Sequence, residues 1–583
     1  MSSANAVSNT SNILSNGYAI HTREGLAMRA VEICLAKYAG KNMPASEILV
    51  DEWIVEVTKQ IEFANALRPR SQKMKMYTYV PGFVIAELIL AQGDVCRISF
   101  SGSVEDATVA VYNHRGPRNG LYTLITDTKH YGVLGEIMRQ YSPGITQKER
   151  NELWDVLLQK APLKSLTRDR NLVNVGNGIW DMEKRQLYPY NRDYIAISKV
   201  MTNLNLVAKK PVIIMPDGVP WDVDSWFASL SDSPEQANFF WEITQALCRP
   251  NVRYNQNIFL YSEKGNSGKG TLCAMWDALI GDEFVAHVAL DDFEKDFFLT
   301  PLVGKTANIA HESDTDGVIG KSAKYKALTT GDVISLTRKF CDNSSFNFYG
   351  LMVFCLNSWP KFKDTSGGRE RREIIVPMSK CFTGAERKYI KADYLQRTEV
   401  LEYILKKVLV DMPSIEKFNL PPSSLEAEKE YKRATSSVED FWSEVVPQLT
   451  WDMVPFSFLL DLYRAWYDSV NGKNGYPLGK IKFYEVIRKI VEESDEWECS
   501  SKRSKYKTGD MMDYPEPLIL DYDLQNWMNP KYNGKDPDMV CIPATRVSYE
   551  GIRRKTRRYG QVDGDSGYNL IDCDDNTAGA ANT

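Results

Sequence analysis

No stretch of this sequence holds the roughly 20 consecutive apolar residues that a bilayer-spanning helix needs, which excludes a helical membrane protein. The opening residues, MSSANAVSNTSNILSNG, lack both a basic and an apolar segment. They read as a disordered polar leader rather than a secretion signal, and the expected compartment is the cytoplasm. Cysteine occurs ten times but never as a CxxC pair, which argues against a structural zinc site and suits a reducing compartment. Histidine is scarce, with five residues dispersed along the chain, so His287 and His311 read as isolated core or surface residues and no metal cage is visible. No internal repeat is present, which excludes a solenoid or propeller.

What is present is the composition of an ordinary globular protein, with 43% hydrophobic, 25% charged and 11% aromatic residues. At 583 residues the chain exceeds one hydrophobic core, and about three to five folded units are expected. The net charge of -5 hides a local asymmetry: Arg546 to Arg558 packs six basic residues into thirteen, whereas the tail from Asp563 is acidic and rich in Gly and Asn.

After the leader (1–20), residues 21–104 mix a helical pattern, LAMRAVEICLAKYA, with strand-like VCRISFSG, and form an α/β region of unknown role. Residues 105–250 read as a mainly helical adaptor containing NLVNVGNGIWDMEKRQLYPY, two apolar runs about a turn at Asn177 and Gly178. From 251 to 385 strands and helices alternate, which argues for an α/β core with a largely parallel sheet. A helical linker (386–440) follows, then PFSFLLDLYRAWYDSV, LGKIKFYEVIRKIVEE and the basic, hairpin-like EWECSSKRSKYKTG, which outline a winged-helix-like module over 441–560. Residues 561–583 are the expected disordered tail.

The chemistry concentrates in NIFLYSEKGNSGKGTLCAMW, which reads as strand, glycine-rich loop and helix. Gly265, Asn266, Ser267, Gly268, Lys269, Gly270 and Thr271 form the expected phosphate cradle: the glycines let backbone N–H groups face phosphate oxygens, the helix N-terminus favours an anion, and Lys269 supplies a mobile cation. Two positions depart from GxxxxGK[ST]. Glu263 replaces the first Gly, and Gly270 stands where the magnesium-binding hydroxyl belongs, which leaves that hydroxyl to Thr271. Downstream, TANIAHESD is an apolar strand ending near Glu312, a carboxylate suited to orienting water and holding magnesium. LMVFCLNSWP ends near Asn357, a neutral group suited to positioning that water. DTSGGRERREIIVPM presents Arg369, Arg371 and Arg372 just before another strand, where a guanidinium can reach a phosphate across a subunit boundary. Taken singly, each is also an ordinary turn former or solvated charge.

The order EKGNSGKGT, IAHE, KALTTGD, RKF, LNSWP, GRERR resembles the superfamily 3 helicase domain of phage and plasmid primase-helicases, related to the poxvirus helicase-primase ATPase family. The resemblance implies an AAA+ type P-loop NTPase core that binds ATP and Mg2+ and assembles as a homo-oligomeric ring, usually a hexamer. Such a ring moves 3′ to 5′ on single-stranded or forked DNA in a bacterial host, serving a phage, plasmid or mobile element beside a separate primase or polymerase. It implies catalytic roles for Lys269, Glu312, Asn357 and Arg371 or Arg372, and metal ligation by Thr271 and Glu312. VISLTRKF, CDNSS and FNFYG read as a β-hairpin. In the family such a hairpin enters the channel, so Arg338 and Lys339 are the expected DNA contacts, with Lys324 and Lys326 next. KRSKYK and RVSYEGIRRKTRR, with Tyr506, Tyr549 and Tyr559, suit an origin duplex. Two other readings stand beside the motor: an origin-binding initiator using ATP as an assembly switch, and a fused primase-helicase. The latter lacks a DxD in residues 1–100, and its remaining candidates are DVD at Asp222 and DYD at Asp521.

Overall fold

The computed structural model describes residues 21–556, except 101, 127–130, 296, 314–317, 320–321, 337–343, 363–366, 436, 472–476 and 502–503, together with 571–572. The chain forms two compact units, Met1–Leu425 and Glu426–Thr583. Among the described residues no helix is long and apolar enough to cross a membrane.

The first unit opens with α1 (Arg23–Ala36), α2 (Ser46–Ala66) and α3 (Gly82–Gln92). Thr22 starts α1 by accepting a hydrogen bond from Gly25 N at 3.0 Å. Leu49, Trp53, Val57 and Ile61 recur at helical spacing along α2 and are all buried. These helices pack with α4 (Gly132–Tyr141) and α5 (Gln147–Lys160) in one apolar core. The accompanying strands are β1 (Val95–Ser99), β2 (Thr108–Tyr112), β3 (Tyr122–Leu124) and β4 (Leu163–Ser165), in the order β3-β2-β1-β4. The boundary expected at 104/105 therefore cuts a sheet: β1 pairs antiparallel with β2 and parallel with β4. Local pattern does not reveal such pairing, because strand partners need not be neighbours in sequence.

Next come β5 (Leu172–Val175), β6 (Gly178–Asp181) and β7 (Gln186–Tyr188), an antiparallel meander. Val175 pairs with Gly178, so the turn is Gly176-Asn177 and Gly178 already belongs to the strand. Helices α6 (Val223–Leu230) and α7 (Pro234–Cys248) follow. Asp222 of the DVD triplet caps α6, accepting from Ser225 N at 2.9 Å.

The central sheet comprises β8 (Asn257–Tyr261), β9 (Val285–Ala286), β10 (Ala307–Ala310), β13 (Met352–Leu356) and β14 (Glu373–Pro377), all parallel, in the order β9-β10-β13-β8-β14. Every residue of β8, β10 and β13 is buried, as expected of parallel strands covered on both faces. Helix α8 (Lys269–Ile280) follows β8, and its Trp276 Nε1 donates to Thr244 of α7 at 2.8 Å. Helix α9 (Ala323–Thr330) precedes β11 (Ile334–Leu336) and β12 (Ser344–Phe346), an antiparallel pair joined through 337–343.

After β14 come α10 (Lys388–Ala392) and α11 (Thr398–Lys406). The linker expected over 386–440 is mostly core: Ile390, Leu395, Val400, Ile404, Val408 and Phe418 are buried in the same cluster as β8, β13 and α8. That cluster also holds Trp180, Phe227 and Phe240, so no core boundary falls at 250/251.

The second unit has α12 (Ser437–Glu444), β15 (Met453–Pro455), α13 (Phe456–Asn471) and α14 (Lys480–Glu492). Phe483, Ile487 and Val491 form the buried stripe of α14. The strands are β16 (Trp497–Cys499), β17 (Ser504–Lys507), β18 (Ser548–Tyr549), β19 (Gly551–Arg554) and β20 (Ile571–Asp572). The expected 496–509 hairpin does not form: β16 pairs with β19, whereas β17 pairs with β18 and β20. Ser548–Tyr549 and Gly551–Arg554 of RVSYEGIRRKTRR are thus paired strands. Arg554 pairs with Asp452 at 3.6 Å, both side chains 1% exposed, and Arg553 donates to Glu498 at 2.8 Å. Arg553 and Arg554 of that run are thereby engaged in the fold. Within the expected disordered tail, Ile571–Asp572 is a strand.

Candidate nucleotide and nucleic-acid site

The glycine-rich loop leaves the end of β8 and enters α8 through two backbone conformations with positive φ. Asn266 has φ 61°, and Gly268, the N-cap of α8, has φ 91°. The φ of Gly268 is one that side-chain-bearing residues rarely adopt, which favours glycine there, and a Cβ would also lie 2.7 Å from Leu230 Cδ2. The first turn of α8 carries no acidic residue; Thr271 N and Leu272 N donate to Gly268 O, and the N–H groups of Lys269 and Gly270 precede the first intrahelical bond. The result is a cradle for an anion.

Lys269 is 9% exposed, and burial holds its ammonium below the ordinary lysine pKa. Its Nζ donates to Asn357 Oδ1 at 2.9 Å and to Ser262 O at 3.2 Å, both neutral, and it makes no ion pair among the described residues. Ser267 Oγ is buried without a hydrogen-bond partner among the described residues. A desolvated cation with neutral hydrogen-bond partners, an orphaned hydroxyl and a helix N-terminus together fit a polyphosphate. Thr271 lies in the first turn of α8 and Gly270 beside it.

Strand order brings the other residues near. Because β13 lies between β8 and β10, Asn357 after β13 sits beside the loop, and Glu312 follows β10, one strand further out. Glu312 is exposed. The packing of α8 on β13 is fixed by Cys273 and Cys355, whose Sγ atoms lie 3.3 Å apart.

The arginines divide. Arg369 is 3% exposed and holds Glu373 with bonds of 2.6 and 2.9 Å, so it serves the fold. Arg371 is exposed and Arg372 half-buried, both just before β14. Arg338 and Lys339 lie outside the described residues. Lys324 and Lys326 are half-buried on α9; two residues apart on a helix, they point to different faces and do not form one cationic strip.

Sequence reading missed the segment after β14, which folds over the loop. Phe382 N donates to Asn266 O at 3.0 Å, and Asn266 Nδ2 to Glu386 Oε1 at 2.7 Å. Lys391 Nζ stands 4.0 Å from the position a Cβ would take at Gly270. The signal available was the basic, amphipathic start of α10, which also suits a linker.

Residues 260–372 match the family described as "Family of unknown function (DUF5906)", a span that holds the loop, Glu312, Asn357 and both candidate arginines. Residues 435–516 match the family described as "Poxvirus D5 protein-like". The poxvirus-type resemblance is borne out. It falls on the α12–α14 module, where the sequence motifs are loosest. Among solved structures, the chain is similar to an A-form apo structure of the NrS-1 C-terminal region, with a TM-score of 0.41 and 13% identity over 76% of this chain and 91% of that one. A second apo structure of the same region gives a TM-score of 0.42 and 11% identity over 81% of this chain and 98% of that one.

Proposed function

We propose that this chain is an ATP-driven DNA motor of the superfamily 3 helicase type, acting in replication as a homo-oligomeric ring. The observation that carries the reading is the 2.9 Å bond from Lys269 Nζ to Asn357 Oδ1, which places a phosphate-loop cation and a neutral polar group at the ends of adjacent parallel strands. Glu312 on the next strand completes a row suited to phosphoryl transfer to water. The strand order supports an AAA+ type core, and the run of α13, α14 and β16 supports a winged-helix-like module. In this reading Lys269 and the loop N–H groups hold the terminal phosphates, Glu312 orients water, and Asn357 senses the phosphate. Magnesium, held by Thr271 and Glu312, would neutralise phosphate charge. Arg371 or Arg372 acts on a neighbouring subunit's nucleotide. This is positioning and electrostatics.

Strand displacement on an origin-free fork, dependent on ATP and on a 3′ loading strand, tests the reading. Tight duplex binding without unwinding would favour the origin-binding initiator instead. The cations of β19 engaged in ion pairs speak against that alternative, and Asp222 acting as a helix cap speaks against a priming site there.

Two smaller effects follow. Lys391→Ala should weaken nucleotide binding by about 10-fold or more, the worth of a charge-assisted hydrogen bond, in a fluorescent-nucleotide titration. Unchanged affinity would place Lys391 outside the site. Combined Arg338→Ala and Lys339→Ala should flatten the dependence of single-strand affinity on log salt by about 0.7 for each phosphate that is no longer neutralised, with basal ATPase largely spared. An unchanged slope would move the DNA-binding role elsewhere, with Lys324 and Lys326 next.

A further inference from the structure

Three residues from three separate elements converge beside the strand ends: Asp277 in the last half of α8, His287 directly after β9, and His311 directly after β10. One donor atom from each lies within 4.8 Å of the others. The expectation that His287 and His311 are unrelated is thereby corrected: their rings lie 5.3 Å apart, centroid to centroid. Residues ten to thirty-four positions apart meet because β9 and β10 are neighbours and α8 packs over them.

The hydrogen bonds fix which nitrogens are free. His287 Nδ1 lies 2.8 Å from Ile309 O, and a carbonyl only accepts, so Nδ1 carries a proton and the neutral ring offers its Nε2 lone pair. An imidazole oriented by a backbone carbonyl is the usual arrangement of a metal-ligating histidine. His311 Nε2 lies 2.5 Å from Asp277 Oδ2. Asp277 is 8% exposed, yet its Oδ1 is buried with no hydrogen-bond partner among the described residues. A buried carboxylate with one oxygen unsatisfied, beside two imidazoles, is costly unless something takes the second oxygen.

We propose that Asp277, His287 and His311 form a site for a borderline divalent transition cation of the zinc class. Two imidazole nitrogens and one carboxylate suit such an ion, whereas magnesium prefers oxygen donors, so the site is distinct from the one assigned above to Thr271 and Glu312. Ligands each about 2.0 Å from a tetrahedral zinc stand roughly 3.3 Å apart. The cation therefore enters with His311 in its other neutral tautomer, Nε2 giving its proton to solvent as Nδ1 takes one up, and with a small separation of His311 from Asp277. His287 is exposed, so the fourth position faces water. The ion would clamp α8 to the ends of β9 and β10, next to Glu312. None of this requires nucleotide.

The test is Zn2+ titration by calorimetry of the full chain, stripped with chelator and free of nucleotide. His287→Ala is the main variant, since an exposed side chain can be removed without disturbing the core. His114→Ala, at an exposed histidine paired with Asp94, is the control. Wild type and His114→Ala should each bind one Zn2+ tightly at this site, and His287→Ala should lose about 100-fold or more in affinity, exceeding the roughly 10–100-fold cost of losing an outer-shell partner. Co2+ should give tetrahedral visible absorption in wild type that is lost in His287→Ala. Excess Mg2+ should not displace zinc. Absence of a tight site in wild type, or its persistence in His287→Ala, would overturn the proposal and leave His311 and Asp277 as a hydrogen-bonded pair only.

Discussion

Replacing Lys269 with alanine is expected to reduce ATP hydrolysis and unwinding to background while leaving the fold in place. The ammonium is held among neutral oxygens, Asn357 Oδ1 and Ser262 O, and no carboxylate among the described residues neutralises it. Its desolvation is therefore uncompensated until a phosphate arrives. That is the physical mark of a ligand-binding cation rather than a structural one. Compare Arg369, also buried, which is neutralised by Glu373 and whose loss should unfold rather than inactivate. Removing Lys269 breaks its bonds to Asn357 Oδ1 and Ser262 O, and Asn357 is exposed, so water can reach that acceptor. Thermal unfolding of the variant should match wild type within a few degrees while single-turnover hydrolysis vanishes. Wild-type turnover in the purified variant, with contaminating ATPases excluded, would remove the loop from the mechanism.

The parts of this site that were legible in the sequence are those whose signal is local. A five-residue apolar run followed by glycines and a helix identifies β8, the loop and α8 within one segment. The same holds for the runs of β10 and β13, which Glu312 and Asn357 closely follow, and for the β11–β12 pair. What was not legible depends on pairings between distant segments. β1 to β2 reads as a domain boundary because the intervening loop is polar, yet the two strands share a ladder. Lys391 sits in a helix whose amphipathic pattern suits a linker as well as a lid, and only the fold brings it to Gly270. The Arg369–Glu373 pair has a helical spacing but straddles a helix-to-strand junction, so the periodicity that would have shown it does not apply. Asp277, His287 and His311 meet only once three elements have packed.

A residue that acts on a neighbour's nucleotide leaves a signature that no residue acting within its own subunit can leave, and the sheet register makes Arg371 and Arg372 candidates for such a role. β14 runs parallel to β8 with Glu373 opposite Asn257 and Pro377 opposite Tyr261. The loop departs beyond Tyr261, whereas the arginines precede Glu373, so they lie at the opposite end of the sheet, Arg372 about 16 Å and Arg371 about 20 Å along the strand direction from Tyr261 at a strand rise of roughly 3.3 Å per residue. Arg372 O is pinned there by Asn257 N at 2.7 Å. Neither side chain is placed to serve its own cradle. Alanine at the acting arginine should therefore leave nucleotide binding intact while hydrolysis falls by about 10³ or more, the range of arginine fingers. Arg371, the more exposed of the two, is expected to show the larger loss. In a closed ring of head-to-tail contacts each subunit lends an arginine to one neighbour and a loop to the other. Mixing Arg371→Ala with Lys269→Ala should then restore part of the ATPase, since one boundary type combines the first variant's loop with the second's arginine. Mixed oligomers that demonstrably form but remain inactive contradict independent shared sites. Titrating either variant into wild type distinguishes the remaining case: a loss proportional to dilution indicates independent boundaries, and a steeply concave loss indicates that several adjacent boundaries must fire together.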